Sequence, residues 1–140
     1  MENKILYQLR VDLNEQAAKE LISLKTINKC KGLIKIVKDE NAELICQYEA
    51  FKLFVEECKK YNTTNTPLYR WTKDTIENEE KKKKYMKSFT IYINNNQLYD
   101  KKLADKLERK ILLLKCDCIL KVNKYDSDPK NNPQPPKKYL

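Results

Sequence analysis

The stretch KCKGLIKIVKDENAELICQYEAFKLFVEECKK, Lys29 to Lys60, decides the fold, because its apolar residues fit two different periods. Leu44, Ile45, Tyr48, Phe51, Phe54, Val55 and Cys58 recur at three and four, so Ala42 to Lys60 is predicted to be an amphipathic helix with Asn41 as its N-cap. The segment before it, GLIKIVKDEN, opens with the only glycine of the chain, Gly32, and reads as a short strand closed by the turn residues Asp39 and Asn41. A rival reading runs one helix from Lys29 to Lys60. Cys30, Leu33, Ile34 and Val37 also fit helical spacing, and short apolar runs discriminate poorly between the two periods.

On either side the pattern is plainer. Lys4 to Leu13, KILYQLRVDL, alternates Ile5, Tyr7, Leu9, Val11 and Leu13 against polar neighbours, as a half-buried strand does. Asp12 or Asn14 then caps a helix whose Ala17, Ala18, Leu21, Leu24 and Ile27 share a face. SFTIYINNN, Ser88 to Asn96, is the second clear strand, with Phe89, Ile91 and Ile93 on one face and Thr90, Tyr92 and Asn94 on the other. Asp100 caps the next helix, with Leu103, Ala104, Leu107, Ile111 and Leu114 as its stripe. KCDCILKVNKY, from Lys115, returns to alternation: Cys116, Cys118, Leu120 and Val122 against Lys115, Asp117, Lys121 and Asn123.

KCKGLIKIVKDE at Lys29 and KCDCILKVNKYD at Lys115 echo one another, and each follows a helix that follows an alternating strand. Two strand-helix-strand units combine most simply into an α+β, ferredoxin-like four-stranded sheet with helices on one face. Residues 1–126 would form that domain, with 42–87 an inserted helical segment and 127–140 a disordered tail holding four of the five prolines. The helix over 42–60 has to cover its stripe with that helical layer, with the opposite sheet face, or with a second copy of the chain in a homodimer. Tyr61 to Trp71 reads as a loop by its Asn, Thr and Pro content, although Thr66 and Pro67 also suit a helix cap and first residue. Lys73 to Lys87 has almost no apolar face and is expected to be a solvated connector laced by Glu77–Lys81, Glu79–Lys83 and Glu80–Lys84 pairs.

The formal charge of +9 is uneven, net +1 over Met1 to Lys60 and net +8 over Tyr61 to Leu140. Such asymmetry points toward a polyanionic partner. An AT-rich coding sequence is the plain alternative, with 26 lysines to 3 arginines and 13 asparagines. The start MENKILYQL allows no signal peptide to be drawn and no window is apolar enough to span a bilayer, so the expectation is a cytoplasmic chain with reduced thiols and no membrane partner. Five cysteines without a histidine make no recognisable zinc pattern; buried thiols serving as small apolar groups are expected, with no metal and no cofactor.

Catalysis fares poorly. Without histidine there is no conventional Ser-His or Cys-His nucleophile, and one glycine removes the phosphate-cradling loops, so the chain is expected not to be an enzyme. A binding protein is easier to build. Arg10, Lys35, Tyr92 and Lys121 would share the outer sheet face and offer cations and a stacking ring to single-stranded or structured nucleic acid, with Lys101, Lys102, Lys106 and Arg109 of the second unit's helix as phosphate contacts. The other class is a viral or mobile-element inhibitor or adaptor acting in a host cytoplasm. It would dock on a defence complex through Tyr69, Arg70 and Trp71 and the 42–60 helix, since Trp, Tyr and Arg are enriched at interface hot spots.

Overall fold

β1 (Tyr7–Leu13) is the spine of the molecule, pairing antiparallel with β3 (Ser88–Ile93) on one side and β4 (Ile119–Asp126) on the other. The computed structural model describes residues 5–128, 130 and 134–140. β2 (Ala42–Cys46) adds antiparallel to the far side of β3, giving a four-stranded sheet in the order β2-β3-β1-β4. The fold is α+β, with six α-helices among the described residues on this antiparallel sheet.

The alternation of β1 does what its period demands. Leu9, Val11 and Leu13 are fully buried, and Phe89 and Ile91 of β3 join them on the same face. Against that face pack α1 (Glu15–Leu24) through Ala17, Ala18 and Leu21, α2 (Lys31–Asp39) through Leu33 and Val37, and α6 (Lys101–Leu113) through Ala104, Leu107 and Ile111. The caps are local. Asn14 Oδ1 accepts from the Ala17 N–H at 2.9 Å and Asp100 Oδ1 from the Leu103 N–H at 2.8 Å, each satisfying a donor the first helical turn leaves open.

Between Lys29 and Lys60 the chain is neither the predicted strand-then-helix nor one rod. Gly32 to Asp39 is helical, and the strand comes after it, at Ala42–Cys46, where a long helix was expected to begin. Leu33 and Val37 are four apart and fully or almost fully buried, so the helical period decides there. Gly32 does not break the pattern; it sits in the first turn of α2, where a Cβ would come within 2.7 Å of Leu114 Cδ2. Asn41, at φ 54°, turns the chain into β2 instead of capping a helix, and pairing with β3 outweighs the helical spacing of Leu44 and Ile45. α3 (Gln47–Lys60) then starts at Gln47.

Helices lie on both faces of the sheet, not on one. α3, α4 (Pro67–Glu77) and α5 (Glu79–Tyr85) occupy the side opposite α1, α2 and α6, and Gln47 at the start of α3 accepts a 2.6 Å hydrogen bond from Thr90 Oγ1, both side chains buried. Val55 and Cys58 of α3 and Tyr69 of α4 form a separate small core, with Phe54 and Ile76 against it. Thr66 and Pro67 start α4 as cap and first residue, so Tyr61 to Trp71 is a loop only up to Thr66. In the lysine-rich stretch Lys73 pairs with Glu77 at 3.7 Å.

β4 departs from strict alternation. Its pairing with β1 passes from Asp12↔Lys121 to Leu13↔Ile119, so Leu120 bulges out and is 63% exposed. Cys116 and Cys118 precede the strand, and Cys116 is joined to Cys30 by a disulfide with Cα atoms 6.2 Å apart. The two echoing segments are therefore a helix and a strand, yet their matched cysteines meet. The expectation of all-reduced thiols fails at this pair.

The predicted disorder of 127–140 does not hold where the tail is described. Ser127 bonds back to Leu6, and Lys137–Tyr139 forms a 3-10 turn with Tyr139 buried. Pro129 and 131–133 lie outside the described residues. Among the described residues no helix is long and apolar enough to cross a membrane.

Ile91→Ala is expected to cost about 2–5 kcal/mol of unfolding free energy, and Leu120→Ala less than about 0.5 kcal/mol, in urea titrations followed by circular dichroism. Equal effects would mean that the bulge at Leu120 is misplaced.

Candidate functional site

The outer face of β1 carries Gln8, Arg10 and Asp12, and the matching face of β4 carries Lys121, Asn123 and Tyr125, by the same alternation that buries Val11 and turns Val122 toward it. α3, α4 and α5 cover the β3 end of this face and stand off from the rest. What remains is an open groove of about 480 Å³. Its floor is the polar side of β1 and β4, and its far wall is Phe51, Trp71, Lys81, Lys84 and Tyr85.

Arg10 lies on the groove floor. Its guanidinium stacks 5.2 Å from the Tyr125 ring centroid and donates through Nη2 to Gln8 Oε1 at 3.2 Å. Its Nε is buried and has no hydrogen-bond partner among the described residues. A buried guanidinium donor without an acceptor is costly, and an anionic ligand oxygen would remove that cost. Opposite, Lys84 lies 5.1 Å from the Tyr85 ring centroid, and Phe51 meets the same ring edge-on at 5.0 Å, which fixes the wall. Four cations, Arg10, Lys81, Lys84 and Lys121, and one carboxylate, Asp12, line the groove. Thr72 and Thr75 also line it, but their hydroxyls already donate to the carbonyls of Leu68 and Trp71.

Two of the predicted nucleic-acid residues, Arg10 and Lys121, are brought together here. Tyr92 is on the same sheet face but outside the groove, half-buried, with its hydroxyl donating to Gln97 Oε1 at 3.3 Å. Burial pushes the Tyr92 phenol up, while the Arg10 charge pulls it back. Thr90, predicted to point outward, does so only to be sealed under Gln47. Lys35 is not on a strand: it is exposed on α2, across the sheet from the groove.

The α6 cations also belong to the other side, and acids engage part of them. Lys101 pairs with Asp105 at 3.0 Å, Lys106 with Glu40 at 2.7 Å, and Lys110 with Glu40 at 3.9 Å. Lys102 and Arg109 are exposed. The hydrogen bond from Lys106 holds the Glu40 carboxyl below its ordinary range.

Tyr69, Arg70 and Trp71 do not form one exposed docking cluster, because they fall on a helix whose sides face different neighbours. Tyr69 is 8% exposed in the small core. Arg70 donates through Nε to the Tyr139 carbonyl at 2.9 Å and through Nη1 to Asn65 Oδ1 at 3.2 Å, pinning the C-terminal turn to α4. Trp71 alone faces the groove, and also an adjoining recess that Pro136, Lys138 and Tyr139 close from the tail side. Tyr125, Tyr85, Lys81 and Lys84 were missed; only Tyr125 had a signal, since it continues the Lys121, Asn123 alternation.

Among the described residues one cluster has metal-ligand chemistry: the sulfurs of Cys30, Cys116 and Cys118 all lie within 4.8 Å of one another. Comparison of the chain with known protein families, curated proteins and solved structures finds no match.

Thr90→Val is expected to destabilise the fold by about 1–3 kcal/mol by stranding the buried Gln47 oxygen, and adding Gln47→Leu to recover part of that loss, measured by denaturant unfolding. In a separate check, the Glu40 carboxyl should titrate below the ordinary carboxylate range by NMR and move back up in Lys106→Ala. The pair's contribution to stability is present above the unfolded-state value and is lost as pH falls through the lowered folded one.

Proposed function

We propose that the protein is a non-enzymatic binder of single-stranded nucleic acid, built on a ferredoxin-like frame, with the groove between the outer sheet face and α4–α5 as its binding site. The frame reading is supported by the strand order β2-β3-β1-β4 and by the two crossovers, β1 to β2 through α1 and α2 and β3 to β4 through α6.

The observation that carries the functional reading is Arg10: a cation on the groove floor with a buried, unanswered Nε, stacked on Tyr125 and facing Lys81, Lys84 and Trp71. Cations supply sequence-independent phosphate contact, and aromatic faces accept any base. Asn123 and Gln8 add amides able to reach base edges. A recess of about 480 Å³ has the size of a small-ligand pocket, enough for about one or two nucleotides. A paired duplex keeps its base faces stacked inside, where Trp71 and Tyr125 have no access to them. The net charge of +8 on Tyr61 to Leu140, the half that supplies α4, α5 and β4, adds long-range attraction. Of the cluster that the protein-docking reading uses, Tyr69 is lost to a core and Arg70 to the tail, which leaves it Trp71 and, of its 42–60 helix, the outer side of Gln47–Lys60.

Fluorescence anisotropy with a labelled single-stranded RNA or DNA oligomer tests this. Affinity should fall with salt, with a log–log slope of roughly −1 to −2 for about two or three phosphate contacts. Lys81→Ala with Lys84→Ala should flatten that slope, and Trp71→Ala should weaken binding by about 1–3 kcal/mol. Lys102→Ala with Arg109→Ala, on the other side of the sheet, should change little. Salt-independent binding, or none, would sink the reading.

A further inference from the structure

Three of the five cysteines converge although they come from opposite halves of the chain. Cys30 precedes α2, while Cys116 and Cys118 stand on the turn that leads into β4. We infer that, once the Cys30–Cys116 disulfide is reduced, these three thiols form a binding site for a soft monovalent cation, Cu(I), held by three thiolates.

Geometry comes first. Metal–thiolate bonds of about 2.3 Å place three sulfurs around one ion at the corners of a triangle with edges of about 4 Å. The three sulfurs already lie within 4.8 Å of one another, so the site needs only small side-chain adjustments after reduction. Cys30 and Cys118 are 2% and 5% exposed and Cys116 is half-buried, so two of the three sulfurs are held away from water while the third leaves the ion an entry path.

Ligand number selects the metal. Structural zinc and iron–sulfur clusters want four protein ligands, and among the described residues the cluster contains three, with no histidine anywhere in the chain. Soft thiolates favour Cu(I), for which three sulfurs suffice. The sulfur of Cys116 lies 3.6 Å from the Lys29 carbonyl oxygen, a hard donor that does not complete a soft site.

The chemistry balances with a dithiol reductant. Its two thiols give two electrons and two protons to the Cys30–Cys116 bond, leaving two protein thiols and a disulfide on the reductant. Cu(I) then displaces three thiol protons and forms three copper–sulfur bonds, with no change in copper oxidation state. The resulting complex carries two negative charges. The Lys29 ammonium favours it, and the carboxylates of Glu20 and Asp117 oppose it. Disulfide and metal are mutually exclusive occupants of the same sulfurs, so the oxidised protein should not bind.

The test uses the full chain, reduced with dithiothreitol and freed of it under nitrogen, titrated with Cu(I) against bathocuproine disulfonate. One equivalent should be retained, with near-ultraviolet thiolate-to-copper absorption and three sulfur neighbours at the copper X-ray absorption edge. Cys118→Ser should weaken retention at least tenfold, whereas Cys46→Ser and Cys58→Ser should leave it unchanged, because those thiols sit at the end of β2 and in the small core. X-ray absorption on the unmutated protein decides even where a variant folds poorly. No retention against the chelator, two or four sulfur neighbours, retention of Zn(II) but not Cu(I), or unaltered binding in Cys118→Ser would each overturn the inference.

Discussion

The register between β1 and β3 governs everything built on it. Val11 faces Phe89 and Arg10 faces Thr90, so one side of the central pair is wholly apolar and the other polar. A slip of a single residue would put Arg10 among Leu33, Leu107 and Ile111 and expose Val11 in the groove. The cost of burying a guanidinium among alkyl groups excludes that alternative far more firmly than any turn in the chain does. Core and groove are thus consequences of one alternation.

The two faces are closed differently. α1, α2 and α6 seal the apolar side with close-packed aliphatic chains, while α3 to α5 cover only the β2–β3 end of the polar side. Their hold includes a directed contact, Thr90 to Gln47, in which a buried hydroxyl and a buried amide satisfy one another. Because α4 and α5 rest partly on α3, α4 also through the small core it shares with α3, they can stand away from Arg10 and leave a groove beside the sheet. The tail, held by Arg70 at the Tyr139 carbonyl, fixes the outer side of Trp71.

Strong local periods were legible. β1, β3, α1 and α6 follow from alternation or from a single stripe with its cap. Lys31 to Cys46 was inverted because GLIKIV and AELIC are short apolar runs that fit either period, and the arbiter is tertiary: AELIC gains a full set of ladder bonds from the exposed edge of β3. Of the groove, Arg10 and Lys121 could be read from strand alternation, which fixes faces without knowledge of neighbours. Lys81, Lys84 and Tyr85 could not, since a helix with no buried residue leaves no periodic trace of what it faces. The Tyr69-Arg70-Trp71 cluster misled because three consecutive helical residues point about 100° apart and cannot share one surface.

β4 links the groove to the cysteine cluster. Lys121, Asn123 and Tyr125 reach the groove only if the strand begins in the right place, and the bulge at Leu120 is where its phase is set against β1. Cys116 and Cys118 lie immediately before that bulge, and the Cys30–Cys116 bond, spanning 86 residues of sequence, anchors this point to the start of α2. By loop-closure entropy such a link stabilises the fold by about 4 to 5 kcal/mol relative to the open chain. Its mechanical role is local: it restrains the residues that determine which side chains of β4 face the groove. Arg10 is itself tied to this strand, since it pairs with Asn123 and stacks on Tyr125, so the groove floor and the cysteine cluster are two stations on one continuous β4 segment.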